Sequence, residues 1–452
     1  MMPYSAIGKK QQRLIKNGLQ LLFSPRAFSS GSIEEWKRLG IRFFAREIKT
    51  KNGGSILLSD EGYGAIRQIS ELIVELPSLA DSVSLGDVLT AVKAAYNGWF
   101  LKELEPDGQE FIDPILQELS AMVKDYEHLI KLEGIDLKGQ NFIEIGPVRI
   151  QRSDETFLKG VQFDALDPAW IDKKFENSIW LIGKTRGAKA VAQERFEMQT
   201  LMTVGVLAVC AAVLFRDAFR RSRVHPLISI GGPADAITLL MWEQGGGSPS
   251  ISRRWGREQD LPLDAASMER LNNECFLKQL ASLPDRIQRT ELQDAIVRSL
   301  YWIADAHSDR NPPMMFVKLW SCLECFFTIG HEGITEANAR GIASILTFGG
   351  SGIVAPGDYD ATKRRVKELY KLRSKAVHSA RFDHIETTDV DELARWVGWV
   401  IITMVSLSEH GYKTLRQVSE QIVRLDQKSK PPAPRIRRWI EALLKYLPKR
   451  SA

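Results

Sequence analysis

Tyr370-Lys-Leu-Arg-Ser-Lys-Ala-Val-His378 ends a helical pattern in which Val366, Leu369, Tyr370, Ala376, Val377 and Ala380 share one face. Arg373 falls in the middle of that apolar stripe. A guanidinium in such a place needs an acceptor, because an unpaired charge in apolar surroundings costs several kcal/mol. A second pattern, Phe316, Trp320, Leu323 and Phe327, offers one, since Glu324 stands on its stripe. Two opposite charges on faces that ought to be apolar fit either an ion pair or an arginine aimed from a cleft at a ligand phosphate. His378 lies five residues beyond Arg373, about 140° around the helix, so the two flank a groove instead of stacking. An imidazole exchanges protons near neutral pH and a guanidinium holds phosphate, a division of labour suited to RNA cleavage.

Outward from this string, helix-period stripes recur at Leu292, Ala295, Ile296, Leu300 and Ile303, and at Val390, Leu393, Ala394, Val397, Ile401 and Met404. A weaker helix spans about Glu336 to Leu346. Turn signals at Asn311-Pro-Pro and Phe348-Gly-Gly-Ser-Gly, and a Thr388-Asp-Val-Asp391 capping pattern, separate these into a bundle of four or five helices. The chain as a whole is expected to be mainly α, with four regions: a helical part over 1–138, a mixed α/β part over 139–285, the bundle over 286–411, and a basic tail over 412–452. In the first region Ile66, Ile69, Leu72, Ile73 and Leu76 are at helical spacing, and Glu105-Pro-Asp-Gly breaks the pattern. In the second, Asn141 to Gln151 alternates around a Gly-Pro turn, Ser178-Ile-Trp-Leu-Ile-Gly is a short apolar run, and Gln244-Gly-Gly-Gly-Ser-Pro-Ser reads as a loop. The tail has a Pro-rich hinge, Lys428 to Pro434, before a short basic amphipathic helix, Arg435 to Leu447.

Charge is segregated. Met1 to Lys51 and Gly411 to Ala452 each carry +8, which leaves −11 between them within a total of +5. Basic ends suit a polyanion partner, although solvated termini give the same composition. Four cysteines and no secretory signal point to a reducing, cytoplasmic setting. Residues 198–215 carry no charge, and Arg216, Arg220, Arg221 and Arg223 follow. That stretch reads as a buried helix, with a single membrane span as the alternative. Cys322-x-x-Cys325 lacks a second ligand pair and sits in an apolar helix, and His307, His331 and His384 have no metal spacing. No metal or other cofactor is expected.

The string from Tyr370 to His378 resembles the signature of the Apea-like HEPN domain family, in which a tyrosine precedes Arg-Ser-Lys-aliphatic-aliphatic-His. Trp320-Ser-Cys-Leu-Glu324 resembles that family's motif on the facing helix, and the likeness runs over about 287–410. The resemblance implies a bundle that homodimerises, so that two Arg-His pairs meet in one cleft and cut single-stranded RNA without a metal. It implies Arg373 and His378 as the catalytic pair, with Glu324, Ser374 and Tyr370 supporting them. It also implies a toxin or phage-defence effector, its nuclease regulated by the N-terminal region in response to a trigger or sensor partner. The alternative it leaves is a non-catalytic module for dimerisation or for binding a nucleotide or partner.

Overall fold

A computed structural model describes residues 4, 7–28, 45–50, 54–153, 178–214, 218–222, 224–227, 238–241, 250–253, 260–309, 311–328, 333–350 and 352–429. The Gln244 glycine-rich stretch, His331, Arg216, Arg223, the Pro-rich hinge from residue 430 and the helix expected at Arg435 to Leu447 lie outside them. The described fold is mainly helical with a small sheet portion. The chain divides into two compact units, Met1–His128 with Gly183–Met198 and Leu129–Ile182 with Gln199–Ala452.

The first unit contains helices α1 (Lys9–Leu22), α2 (Asp60–Val74), α3 (Leu85–Phe100) and α4 (Gly108–Met122), with a short hairpin of β1 (Glu47–Lys49) and β2 (Ser55–Leu57). Ile66, Ile69 and Ile73 of α2 are buried with Ile15, Leu19, Val92, Phe111 and Ile115, as the helical spacing requires. The break at Glu105-Pro-Asp-Gly becomes a helix start: Asp107 accepts from the Glu110 N–H at 2.8 Å and Glu110 accepts from the Asp107 N–H, a reciprocal capping box.

Strands β3 (Lys124–Glu133), β5 (Phe142–Ile145), β6 (Val148–Arg152), β7 (Ile179–Gly187) and β8 (His225–Leu227) form a five-stranded sheet in the order β5-β6-β7-β3-β8. The alternation expected over 141–151 is the β5–β6 hairpin. Ile145 pairs with Val148 across a two-residue turn, where Gly146 has φ +59° and a Cβ would come within 2.6 Å of the Ala281 carbonyl oxygen. Sheet structure starts earlier than residue 139, where alternation becomes visible, because most side chains of β3 are only half-buried and its apolar positions are interleaved with Lys, Glu and His. Two further pairs complete the strands: β4 (Ile135–Asp136) runs parallel to β11 (Leu261–Pro262), and β9 (Thr238–Met241) antiparallel to β10 (Ser250–Arg253).

The long apolar stretch is the second half of α5 (Lys189–Leu214). This helix is long and apolar enough to cross a membrane by length and composition, and 67% of its most apolar window is buried within the protein. Its small residues allow close packing: a Cβ at Gly205 would meet the Leu300 carbonyl oxygen at 2.5 Å, and one at Gly398 would meet Ala212. The short helices α6 (Ala218–Arg221), α7 (Ala265–Glu274) and α8 (Leu277–Ser282) precede the bundle.

The bundle consists of α9 (Glu291–Ser308), α10 (Pro312–Phe327), α11 (Ile334–Phe348), α12 (Tyr359–Ser379) and α13 (Thr387–Glu409). Its stripes are buried largely as the spacing predicts, including Leu292, Ile296, Leu300, Phe316, Trp320, Leu323, Val366, Leu369, Val397 and Ile401. Each such side chain contributes roughly 1.5–3 kcal/mol of transfer free energy. Three details differ from expectation. The capping box of α13 begins at Glu386, whose side chain accepts from the Asp389 N–H while Asp389 accepts from the Glu386 N–H, two residues before Thr388. The α12 stripe stops at Ala376: Val377 is 47% exposed because the helix ends at Ser379 and Ala380 turns left-handed at φ +49°. In the tail, α14 (Leu415–Ser429) packs on α11, and its Leu415, Val418 and Ile422 are buried. Its Asp426 is buried and accepts from Tyr359 Oη at 2.8 Å and from Lys363 Nζ at 3.2 Å.

Candidate functional site

Two residues of α10 and two of α12 form a polar and aromatic contact between the helices. Trp320 and Glu324 are four apart on α10, and Tyr370 and Arg373 three apart on α12, so each pair shares a face of its helix. Trp320 is fully buried and meets the Tyr370 ring edge-on, with centroids 5.3 Å apart at 81°. The Arg373 guanidinium lies 5.8 Å from the Tyr370 centroid and donates from Nη2 to Glu324 Oε2 at 3.0 Å. Both members of the ion pair sit at the rim of the core, with side chains 19% and 21% exposed.

This arrangement follows from the sequence. Proline at the start of α10 fits the first turn, where its missing N–H has no partner to lose. Eight buried apolar residues from Met315 to Phe327 then fix that helix's inner face and leave Glu324 on its border. On α12, Val366, Leu369 and Ala376 are buried, which brings Arg373 to the same border.

The electrostatics are uneven. Burial pushes the Glu324 carboxyl above the usual range, and Arg373 opposes that shift without cancelling it. Burial, with the negative charge of Glu324 beside it, also raises Tyr370. Arg373 Nε is buried without a hydrogen-bond acceptor among the described residues, and so is Trp320 Nε1. An unsatisfied buried donor carries a penalty of about 1–3 kcal/mol, which a bound anion or water at that atom would remove.

The structure therefore brings Arg373, Glu324 and Tyr370 together. It does not bring His378 to them: His378 is exposed in the last turn of α12 and makes no hydrogen bond among the described residues. A histidine there faces the negative end of the helix dipole. Ser374 is half-buried between the two and also makes no hydrogen bond among the described residues. The Arg381 N–H bonds the Lys375 carbonyl at 3.4 Å and closes the helix just past His378.

The cysteines of Cys322-x-x-Cys325 bond to the backbone of their own helix, their thiols donating to Lys318 O at 3.5 Å and Ser321 O at 3.2 Å. Burial pushes both up, so neither is poised as a thiolate. His307 is buried at the end of α9, where its Nε2 accepts from the Val224 N–H at 3.0 Å. A second polar feature was not anticipated: Arg365 on α12 is held by Asp389 and Glu392 of α13. Its only sequence signal is one more arginine on a basic helix.

The chain matches no protein-family model, no curated protein and no solved structure.

Proposed function

We propose that α9–α13 form a HEPN-type, metal-independent endoribonuclease centre in which Arg373 and His378 act on RNA. The observation that carries this reading is the Arg373–Glu324 pair at the α10–α12 border, with Tyr370 against the guanidinium and a buried Nε left without an acceptor. Glu324 and Tyr370 hold the guanidinium in place, and its remaining donors take a phosphate oxygen. His378 moves the proton: as base it removes it from the 2′-hydroxyl, and as acid it delivers one to the departing 5′-oxygen. The 2′-oxygen bonds to phosphorus as the P–O5′ bond breaks, leaving a 2′,3′-cyclic phosphate and a 5′-hydroxyl. A second copy of the chain supplies the second Arg-His pair across a shared cleft, and the N-terminal region restrains or triggers cleavage in a toxin or defence role.

The test is cleavage of single-stranded RNA in EDTA by the purified full-length protein, against Arg373→Ala and His378→Ala. Loss of cleavage in both supports the assignment; retained cleavage in either overturns it. A second reading is favoured by one specific observation: Arg373 is already paired with Glu324, and His378 has no hydrogen bond to either. In that reading the pair is structural and the bundle is a dimerisation or binding module. Wild-type protein that leaves RNA intact and cells unharmed on overexpression would select it.

A further inference from the structure

Helix α1 has two faces of opposite kind. Rotation of about 100° per residue places Lys9, Arg13, Lys16 and Gln20 along one line of the helix, with Lys10 and Asn17 beside it, and all six are exposed. On the opposite side Ile15, Leu19 and Leu22 are buried in the core of the first unit. The helix contains no acid, and none of its four cations has an ion-pair partner among the described residues. Elsewhere in that unit basic side chains are answered: Arg26 pairs with Glu61, Arg67 with Glu71, Lys184 with Glu127 and Arg186 with Asp125.

Unanswered like charges on one face repel one another and attract a polyanion, and the rest of the helix selects among polyanions. A bilayer surface takes up an amphipathic helix through its apolar side, but that side of α1 is buried in the core and its exposed side has no large apolar group. A single strand is held by stacking its bases on aromatic rings, and α1 has none. Duplex RNA closes its deep, narrow major groove to protein groups. The major groove of duplex DNA admits a helix, and there lysines reach phosphates while arginine, asparagine and glutamine meet base edges. The exposed face of α1 offers that set, with Asn17 and Gln20 making no side-chain hydrogen bond among the described residues. Gln12, off this face, is occupied: its Nε2 donates to the carbonyls of Tyr4 and Ile7 at 3.0 and 2.9 Å.

We infer that the exposed face of α1 is a docking surface for double-stranded DNA, set in the major groove with Lys9, Lys10 and Lys16 on phosphates and Arg13, Asn17 and Gln20 toward base edges. The 14 residues of the helix give it about 21 Å of length along the groove. This surface belongs to the first unit and uses neither Arg373 nor His378. DNA also lacks the 2′-hydroxyl that the proposed cleavage needs, so DNA binding and RNA cleavage are measured separately and either can fail without the other.

Fluorescence anisotropy on the full-length protein tests it, with a labelled DNA duplex two helical turns long, the single strand and the RNA duplex of the same sequence, and vesicle sedimentation with phosphatidylserine as a fourth probe. The DNA duplex binds with Kd below about 100 μM at about 0.1 M salt, and each other probe binds at least about tenfold more weakly. Arg13→Glu combined with Lys16→Glu weakens the DNA duplex by about tenfold or more and lowers the slope of log affinity against log salt by about 2. Lys184→Glu combined with Arg186→Glu changes the net charge equally in the same unit and leaves the affinity within about threefold of wild type. Circular dichroism and a thermal melt show that both variants fold. The inference is overturned if the DNA duplex does not bind, if the Arg13 and Lys16 variant binds it as tightly as wild type, if the charge-matched variant loses as much, or if any other probe binds as tightly as the DNA duplex.

Discussion

Two arginines on α12, Arg365 and Arg373, lie about two turns apart and are treated in opposite ways. Arg365 donates from Nε to Glu392 at 2.9 Å and from Nη2 to Asp389 at 2.6 Å, with Glu368 3.6 Å from Nη1. Burial alone would lower it, but those carboxylates hold it raised. Among the described residues Arg373 has one carboxylate, Glu324, and a buried Nε without an acceptor. A guanidinium has five N–H donors. Where acids fill them, the residue ties α12 to α13; where they are left open at the rim of a core, the residue is available to a ligand. The same side chain on the same helix is thus a brace at one level and a hand at the other.

The largest expected effect breaks the comparison through activity. On the proposed reading, Arg373→Ala should lower RNA cleavage on the order of a thousandfold, since it removes donors that would hold transition-state charge. Its stability should fall by only about 1 kcal/mol, since the substitution also removes an unsatisfied buried donor. Fluorogenic RNA turnover and urea unfolding on the same preparation give both readings.

Arg365→Ala should behave the other way, with a loss of about 2 kcal/mol in urea unfolding, because Asp389 is left buried with only backbone N–H partners. The figure is set below that of a fully buried pair because Arg365 is 36% exposed and screened on one side. Equal stabilities for the two alanine variants would remove the distinction between brace and hand.

Much of this contrast could be read in advance and some could not, for physical reasons. Arg373 and Glu324 were legible because each interrupts an apolar stripe, and a charge on a buried face demands a partner. Arg365 was not, since Asp389 and Glu392 read as an ordinary solvated helix start until folding brings them against α12. The Glu386 capping box was missed because Thr388 is the more usual cap residue, and a carboxylate two positions earlier did its work. In α5, Gly205 admits the Leu300 carbonyl and Ala212 lies against Gly398 of α13. The helix α14 was hidden by the basic composition of the tail, although Leu415, Val418 and Ile422 already had helical spacing. His378 was placed correctly at the helix end by rotation alone, but no single-chain argument says what it meets.

Acid sharpens the comparison with a smaller effect. Glu324 has a folded pKa above its unfolded one, so the native state binds its proton more readily and loses stability as pH rises through that interval. Glu336, bonded to Lys367, is held below the usual range, and its contribution runs the opposite way: present above the unfolded pKa and lost as pH falls through the folded one. Wild type should therefore gain on Glu324→Gln, by less than about 1 kcal/mol, as pH falls from 7 toward about 4.3. Over the same range it should lose its advantage over Glu336→Gln. Urea midpoints across that range check both signs, and a gain on both variants or a loss on both would refute the assigned environments.

The smallest effect acts on neither arginine. Ala380 ends α12 in the left-handed region at φ +49°, where a Cβ is strained and glycine is not. Ala380→Gly relieves that strain but loosens the unfolded chain, so the net gain should be about 0.5 kcal/mol. The residue lies beyond both arginines and contacts the partners of neither in the hydrogen-bond network, so its effect should add to each. Arg365→Ala and Arg373→Ala should each recover the same increment when combined with Ala380→Gly, leaving their difference intact. Unequal recovery would mean that the helix end, and with it His378, is coupled to one arginine more than the other, and coupling to Arg373 alone would tie the histidine to the open guanidinium through the backbone of α12.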